Sequence, residues 1–259
     1  MRALLPHPST SIDPIDAYAV SPEVGVDRPF VRCNMISTLD GAITINGRSG
    51  LLGGPADHRM FQTLRSLADV ILVGAGTVRT EGYGPARLDH DLGERRRDRG
   101  QSVAPPIAVV TRSANLDWSS PFFTEAEARP IVFTTAEHDR GVQLPSEDVA
   151  HFVVAGDDRV DVSFVVDYLH RSGLSSVLLE GGPGLNADVV HAGILNELCL
   201  TVSPCIVAGN GTRILAGAEL AKPLGLEVIH LLEEDGFFFY RFTVRQTKSG
   251  TGAETDVRP

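Results

Sequence analysis

A chain of 259 residues, 42% hydrophobic, is long enough to bury a sizeable core as one α/β domain or two small ones. Its formal net charge of -10 argues against nucleic acid or an anionic membrane as a general partner, yet leaves room for an anionic small molecule held by local arginines or helix N-termini. Three cysteines (Cys33, Cys199, Cys205), odd in number and without C-x-x-C spacing, exclude a disulfide framework, and scattered histidines give no metal site.

The N-terminus, MRALLPHPSTSIDP, has no apolar leader core, and no apolar run approaches the ~20 residues of a membrane span. A reduced, cytoplasmic protein is expected. Residues 1–29 are rich in Pro, Ser and Asp and read as an extended arm. "FVRCNMIST" is strand-like, and "AITIN", after Asp40-Gly41, reads as a second short strand. "PADHRMFQTLRSLA" opens with Pro55 at a first helical position and places Met60, Leu64 and Leu67 on one face, an amphipathic helix.

"DVILVG" is an apolar strand of the kind buried on both faces, and "IAVVT", "PIVFTT" and "HFVVAG" are three more. Between them, Arg87 to Pro106 is too long and too charged for an ordinary connection. It reads as a solvated excursion or as a lid or subunit-contact loop. "DVSFVVDYLHRSG" is a helix capped by Asp161 and ended by Gly173. "SVLLEGG" is a strand, "LNADVVHAGIL" a helix, "NELCLTVSP" a strand, and the runs about Asp235-Gly236 form a hairpin. The alternation predicts an α/β layered domain over 30–246 with a mostly parallel central sheet and a C-terminal antiparallel hairpin, followed by a disordered tail at 247–259.

Four places can carry chemistry. In "DVILVGAGTVRTEGYG", Gly74 and Gly76 follow a buried strand, so backbone amides can approach an anion, and Thr77 adds a hydroxyl. Arg79 stands where a dinucleotide fingerprint has its third glycine, and a plain tight turn explains the pair as well. "VLLEGGPGLNADVV" is a better phosphate cradle: Gly181, Gly182 and Gly184 lead a strand into a helix, with Glu180 at the strand's carboxyl end, where open α/β sheets place their ligand crevice. Arg112 and Ser113 end a strand in a pattern that suits the 2′-phosphate of NADPH, or belongs to an exposed loop. Asp40-Gly41 is locally a hairpin turn, or an aspartate in a sheet-end crevice that binds a polar heterocycle or orients a substrate; Arg65 shares the polar side of its helix with His58 and Gln62, the pattern of a solvated arginine. Two glycine loops at two strand ends favour a long anionic cofactor lying across the sheet edge.

Together "STLDG", "RSGLLGGPADHRMFQTLRSLADVILVGAGTVRTEGYG", "TRS", "LLEGGPGLNADVV" and "ELCLTVSPCIVAGNGTRIL" resemble, in order from about Val31 to Val244, the riboflavin-pathway pyrimidine reductases. The chain is especially similar to stand-alone actinobacterial reductase-like members, which have been linked to a dihydrofolate reductase-type activity. The resemblance implies a dihydrofolate reductase-like three-layer fold, NADPH as cofactor and a homodimer. It also implies reduction of the ribosyl ring of 5-amino-6-(5-phosphoribosylamino)uracil to the ribityl chain.

It further implies that Thr77, Ser113 and the turn from Gly182 through Leu185 to Asp188 contact NADPH, that Ser49, Arg65 and Glu180 face the substrate, and that Asp40 contacts substrate or handles a proton. Arg87 stands as a second anion-binding arginine. The H-x-E and P-C-x-x-C signatures of the deaminase domain that often precedes this reductase are not in the 259 residues, so the reduction step alone is expected. Where bifunctional members carry an acidic A-D-D-P-like run beside the substrate, this chain has "RTEGYGP", with Glu81 then Gly82. Three readings follow: the pyrimidine reductase, a reductase of dihydrofolate, and an NADPH-binding dimer without turnover. The partner in each is a small molecule, an aminopyrimidine or a pterin.

Overall fold

The computed structural model describes residues 1–21, 23–137 and 144–245; the tail expected at 247–259 lies outside them. One ten-stranded sheet runs in the order β1(Arg2–Leu5), β9(Leu226–Glu234), β10(Phe237–Val244), β8(Glu197–Ser203), β2(Phe30–Thr38), β7(Ser176–Leu179), β3(Val70–Gly74), β4(Ile107–Val110), β5(Ile131–Thr134), β6(His151–Val154). From β8 across to β6 every neighbouring pair is parallel, while β1, β9 and β10 join antiparallel. The Asp235-Gly236 turn closes the β9–β10 hairpin, with both residues at positive φ.

The strands are apolar on both sides because helices cover both faces. In β3, Ile71 and Val73 pack with α1(Pro14–Tyr18), α2(Pro55–Leu67), α3(Ala75–Glu81) and α5(Pro121–Thr124), while Val70 and Leu72 face α6(Val162–Arg171) and α7(Pro183–His191). Three layers result. Asp161 caps α6, accepting from the amides of Ser163 at 2.9 Å and Phe164 at 3.2 Å. Gly82, in the left-handed region, ends α3.

Three regions differ from the sequence reading. "AITIN" is not a strand. After Thr38 the chain turns (Gly41 N to Thr38 O, 3.0 Å), Ala42 and Ile43 bury their side chains, and a single bridge joins Ile45 to Arg48. The run serves as a cavity wall, and burial rather than strand pairing uses its apolar residues. The first residues are not a featureless arm: β1 extends the sheet edge and α1 is capped by Asp13. The charged segment 87–106 holds a helix, α4(His90–Asp98), packed on α2. Arg96 within it is 1% exposed. Its guanidinium donates to the carbonyls of Ser66, Ala68 and Ser102 around the end of α2, and burial, with Arg99 beside it, pulls its pKa down to about 10.

A second buried arginine system ties α1 to the sheet. Glu197 on β8 accepts from Arg32 on β2 at 2.8 Å and from Arg241 on β10 at 2.7 and 3.0 Å. Arg241 then donates to the carbonyls of Ala17 and Ala19, at 2.8 and 3.2 Å.

Candidate active site

At the carboxyl ends of β2, β7, β3 and β4 lies a cavity of about 1190 Å³. Parallel strands that end side by side, each followed by a turn, leave a crevice there. The turns after β3 and β7 are pinned together by the Gly74 amide, which donates to the Gly181 carbonyl at 2.7 Å. Gly181 has φ of +84°, and a Cβ on Gly182 would come within 2.7 Å of the Thr77 hydroxyl oxygen, so neither position accepts a side chain. Gly74, Gly76, Thr77, Gly182, Gly184 and Leu185 line the cavity, while Gly181 sits behind it as the clasp.

The Gly182 cap of α7 offers no side-chain acceptor, and Pro183 has no N–H. The amides of Gly184 and Leu185 have no intrahelical acceptor, which prepares them for an anion. Arg112 and Ser113, at the end of β4, and Arg79 on α3 line the same end. Arg79 donates to the Asn115 carbonyl at 2.9 Å, and neither guanidinium belongs to an ion pair among the described residues. This end of the cavity combines glycine backbone, helix amides and uncompensated positive charge.

The other end is built around Glu180, 7% exposed at the end of β7. Arg65 of α2 grips it with Nε to Oε1 at 2.8 Å and Nη2 to Oε2 at 2.7 Å, and the Tyr83 hydroxyl donates to Oε2 at 2.7 Å. The guanidinium carbon lies 4.0 Å from the Phe61 ring centroid and 5.6 Å from that of Tyr83. Burial works against the Arg65 charge, but Glu180 and Tyr83 outweigh it and hold its pKa above the ordinary value. Burial first, then the Glu180 charge, pushes the Tyr83 phenol well up, so it stays a donor. Ser49 and Glu81 also line the cavity and meet each other: the Ser49 amide donates to Glu81 Oε1 at 2.9 Å, which holds the 47–50 loop as a wall.

Three expected site residues stand elsewhere. Arg65 is neither solvated nor part of the cavity lining; it is 7% exposed and lies behind Glu180, whose carboxylate it holds. Arg87 is exposed and paired with Glu125 at 2.6 Å, away from the cavity. Asp40 is exposed and accepts from the Thr38 hydroxyl and from the amides of Ala208 at 2.7 Å and Val207 at 3.3 Å. Those bonds, the Thr38 hydroxyl foremost, hold its pKa low and spend the carboxylate on joining the loops after β2 and β8.

The cavity also includes Phe61, Arg79, Tyr83 and Asp57, which the motifs did not single out. Asp57 is half-buried; desolvation raises its pKa and a hydrogen bond with the Thr201 hydroxyl opposes the rise. The spacing Asp57, Phe61, Arg65 is i, i+4, i+8 on one helix stripe, a signal that was available. Among the described residues, no group of three or more His, Cys, Asp or Glu is placed to hold a metal ion, and no helix is long and apolar enough to cross a membrane.

Strand order, paired glycine turns and a cavity at the carboxyl ends of parallel strands define an α/β enzyme of the open-sheet class. The chain belongs to the RibD C-terminal domain family, whose model matches residues 29–235. It is 32% identical over 196 residues to the 2,5-diamino-6-ribosylamino-4(3H)-pyrimidinone 5′-phosphate reductase of Methanothermobacter thermautotrophicus, covering 74% of this chain and 85% of that one. With the reductase of the same name from Archaeoglobus fulgidus it shares 26% identity over 209 residues, 80% of this chain and 95% of the relative. Among solved structures, a pyrimidine reductase-like protein from Corynebacterium diphtheriae superposes with a TM-score of 0.76 at 26% identity, covering 91% of this chain and 100% of that one.

Proposed function

We propose that the chain is an NADPH-dependent reductase of the riboflavin pathway that converts the ribosylamino group of an aminopyrimidine 5′-phosphate to a ribitylamino chain. The observation that carries this reading is the two-ended cavity: free backbone amides and uncompensated arginines at one end, a clamped carboxylate at the other. Family membership supports the reaction type. The glycine turns fit a pyrophosphate, because a Cβ added at Gly182 would crowd the Thr77 hydroxyl at 2.7 Å and narrow the cradle. Arg112, Ser113 and Arg79 suit the 2′-phosphate that separates NADPH from NADH.

When bound, NADPH supplies a hydride. Forming the ribityl chain would take that hydride at C1′ of the sugar and one proton at the released ring oxygen, with the cofactor held by the glycine turns after β3 and β7 and by Arg112 and Ser113. The chain's own work is placement. Arg65 and Tyr83 take three of the four acceptor sites of the Glu180 carboxylate, which leaves one on Oε1 for a ligand N–H or O–H group. The Arg65 and Tyr83 clamp keeps it from swinging toward the cofactor end. The loop held by Ser49 and Glu81 and the rings of Phe61 and Tyr83 wall the reacting carbon from water.

The test is steady-state oxidation of NADPH with the ribosylaminopyrimidine 5′-phosphate, with the product identified by mass spectrometry. A ribityl product formed with NADPH in preference to NADH is expected. NADPH bound without consumption would sink the reading in favour of a cofactor-binding protein.

A further inference from the structure

One carboxylate stands where the cavity is otherwise built for an anion. Asp188 lies on α7 four residues after Gly184, so it shares a helix stripe with the free Gly184 amide, one turn further on. Both residues line the cavity. A bare negative charge one helical turn from a bound phosphate opposes it. Among the described residues Asp188 has one ion-pair partner: Arg159, whose Nη2 lies 3.3 Å from Asp188 Oδ1.

Arg159 arrives from a different side. It sits in the turn between β6 and α6 and lines a second cavity, of about 660 Å³, but not the first. Gly184 and Asp188 border both spaces, so the ion pair is part of the wall between them. The turn is built to hold this arginine. Gly156, at φ of +136°, lets the chain double back until a Cβ on it would lie 2.0 Å from the Arg159 carbonyl oxygen. The Asp161 amide closes the turn on the Ala155 carbonyl at 2.7 Å, and the Ala136 amide holds the Gly156 carbonyl at 2.9 Å. Asp157 and Asp158 stand beside Arg159 in the chain, yet it pairs with an acid 29 positions away. The two side chains are 77% and 45% exposed, so the pair adds little to stability, and what it changes is the charge at the cofactor end.

Resting on the reading that this end binds a nicotinamide dinucleotide, we propose that Arg159 is a positioning residue for the cofactor pyrophosphate. It neutralises Asp188 from the far side of the wall and so keeps the Gly184 and Leu185 amides open to an anion. It acts through Asp188 and does not itself meet the ligand. Its effect therefore falls on the part that NADPH and NADH share, whereas Arg112 and Ser113 suit the 2′-phosphate that separates them.

The test measures both dissociation constants by nicotinamide fluorescence at low ionic strength. Arg159→Ala is expected to weaken NADPH and NADH alike, by about tenfold, with Tm nearly unchanged. The loss should shrink in about 1 M salt, where charges are screened beyond roughly 3 Å. Asp188→Asn alone should bind both at least as tightly as the wild type, and adding it to Arg159→Ala should restore affinity. Unchanged affinities in Arg159→Ala, a loss confined to NADPH, a double variant as weak as Arg159→Ala, or weaker binding in Asp188→Asn alone would each overturn the proposal. Inorganic pyrophosphate, followed by broadening of its phosphorus NMR signal, separates it from the reading it rests on. Pyrophosphate bound with the same dependence on Arg159 and Asp188, while neither dinucleotide binds, removes the nicotinamide reading and leaves Arg159 its role. Dinucleotides bound without that dependence remove the role and leave the reading. Binding of neither pyrophosphate nor a dinucleotide removes both.

Discussion

The molecule holds two buried arginine–glutamate systems of nearly the same geometry and opposite use. In one, Glu197 lies between Arg32 and Arg241, and the latter reaches on to the carbonyls at the end of α1. In the other, Glu180 is gripped by Arg65 alone, with Tyr83 and Phe61 filling the places of further charges. The first joins β2, β8, β10 and α1 and touches no part of the cavity. The second stands where β7 ends and its carboxylate faces a ligand space. A buried ion pair by itself is weak evidence of either stability or function; its position relative to a strand's carboxyl end decides which.

Substitutions can break or sharpen that contrast. Glu197→Gln should have the largest effect, since it leaves two buried guanidiniums without an anion. A loss of about 3–5 kcal/mol in chemical denaturation is expected, with NADPH affinity unchanged in whatever remains folded. Glu180→Gln leaves one guanidinium, still flanked by two aromatic faces. We expect a smaller stability loss of about 1–2 kcal/mol and a fall of roughly a hundredfold in kcat/KM, with NADPH affinity retained. Equal stability losses in the two variants would erase the distinction between them.

Arg112→Ala should weaken NADPH by about tenfold while leaving NADH unchanged, read by titration of nicotinamide fluorescence. Arg87→Ala, which breaks only an exposed pair, should change stability by less than about 0.5 kcal/mol and leave kcat/KM as it was. The smallest effect concerns pH. The folded protein raises the Asp57 pKa, so the group favours folding below its unfolded value, and that contribution is lost as pH rises through the folded one. Asp57→Asn should therefore raise Tm at neutral pH and lose the advantage in acid; a Tm gain constant across that range would rule out the carboxylate's charge as its source.

Much of the framework was legible because its signals are local. Runs such as "DVILVG" and "SVLLEGG" announce strands buried on both faces, Asp235-Gly236 announces a hairpin, and the glycines at 74, 76, 181, 182 and 184 mark turns that do meet at one cavity. What stayed hidden depends on distant partners. Arg65 looks solvated on its own helix because its acceptor is 115 positions away, and Arg96 looks like part of a charged loop because the carbonyls it satisfies end another helix. Asp40 illustrates the converse: its motif suggested chemistry, but the amides of Val207 and Ala208 occupy the carboxylate. Asp57 was concealed by its place in a first helical turn, where an acid ordinarily needs no further reason.

The account stands most directly on where the hydride goes. NADPH carrying deuterium at both C4 positions of the nicotinamide would be incubated with the 2-amino ribosylaminopyrimidine 5′-phosphate, and the product examined by mass spectrometry and NMR. The account predicts one deuterium at C1′ of a ribityl chain for each NADPH consumed. A product without deuterium at C1′, or NADPH left intact beside bound substrate, would contradict it.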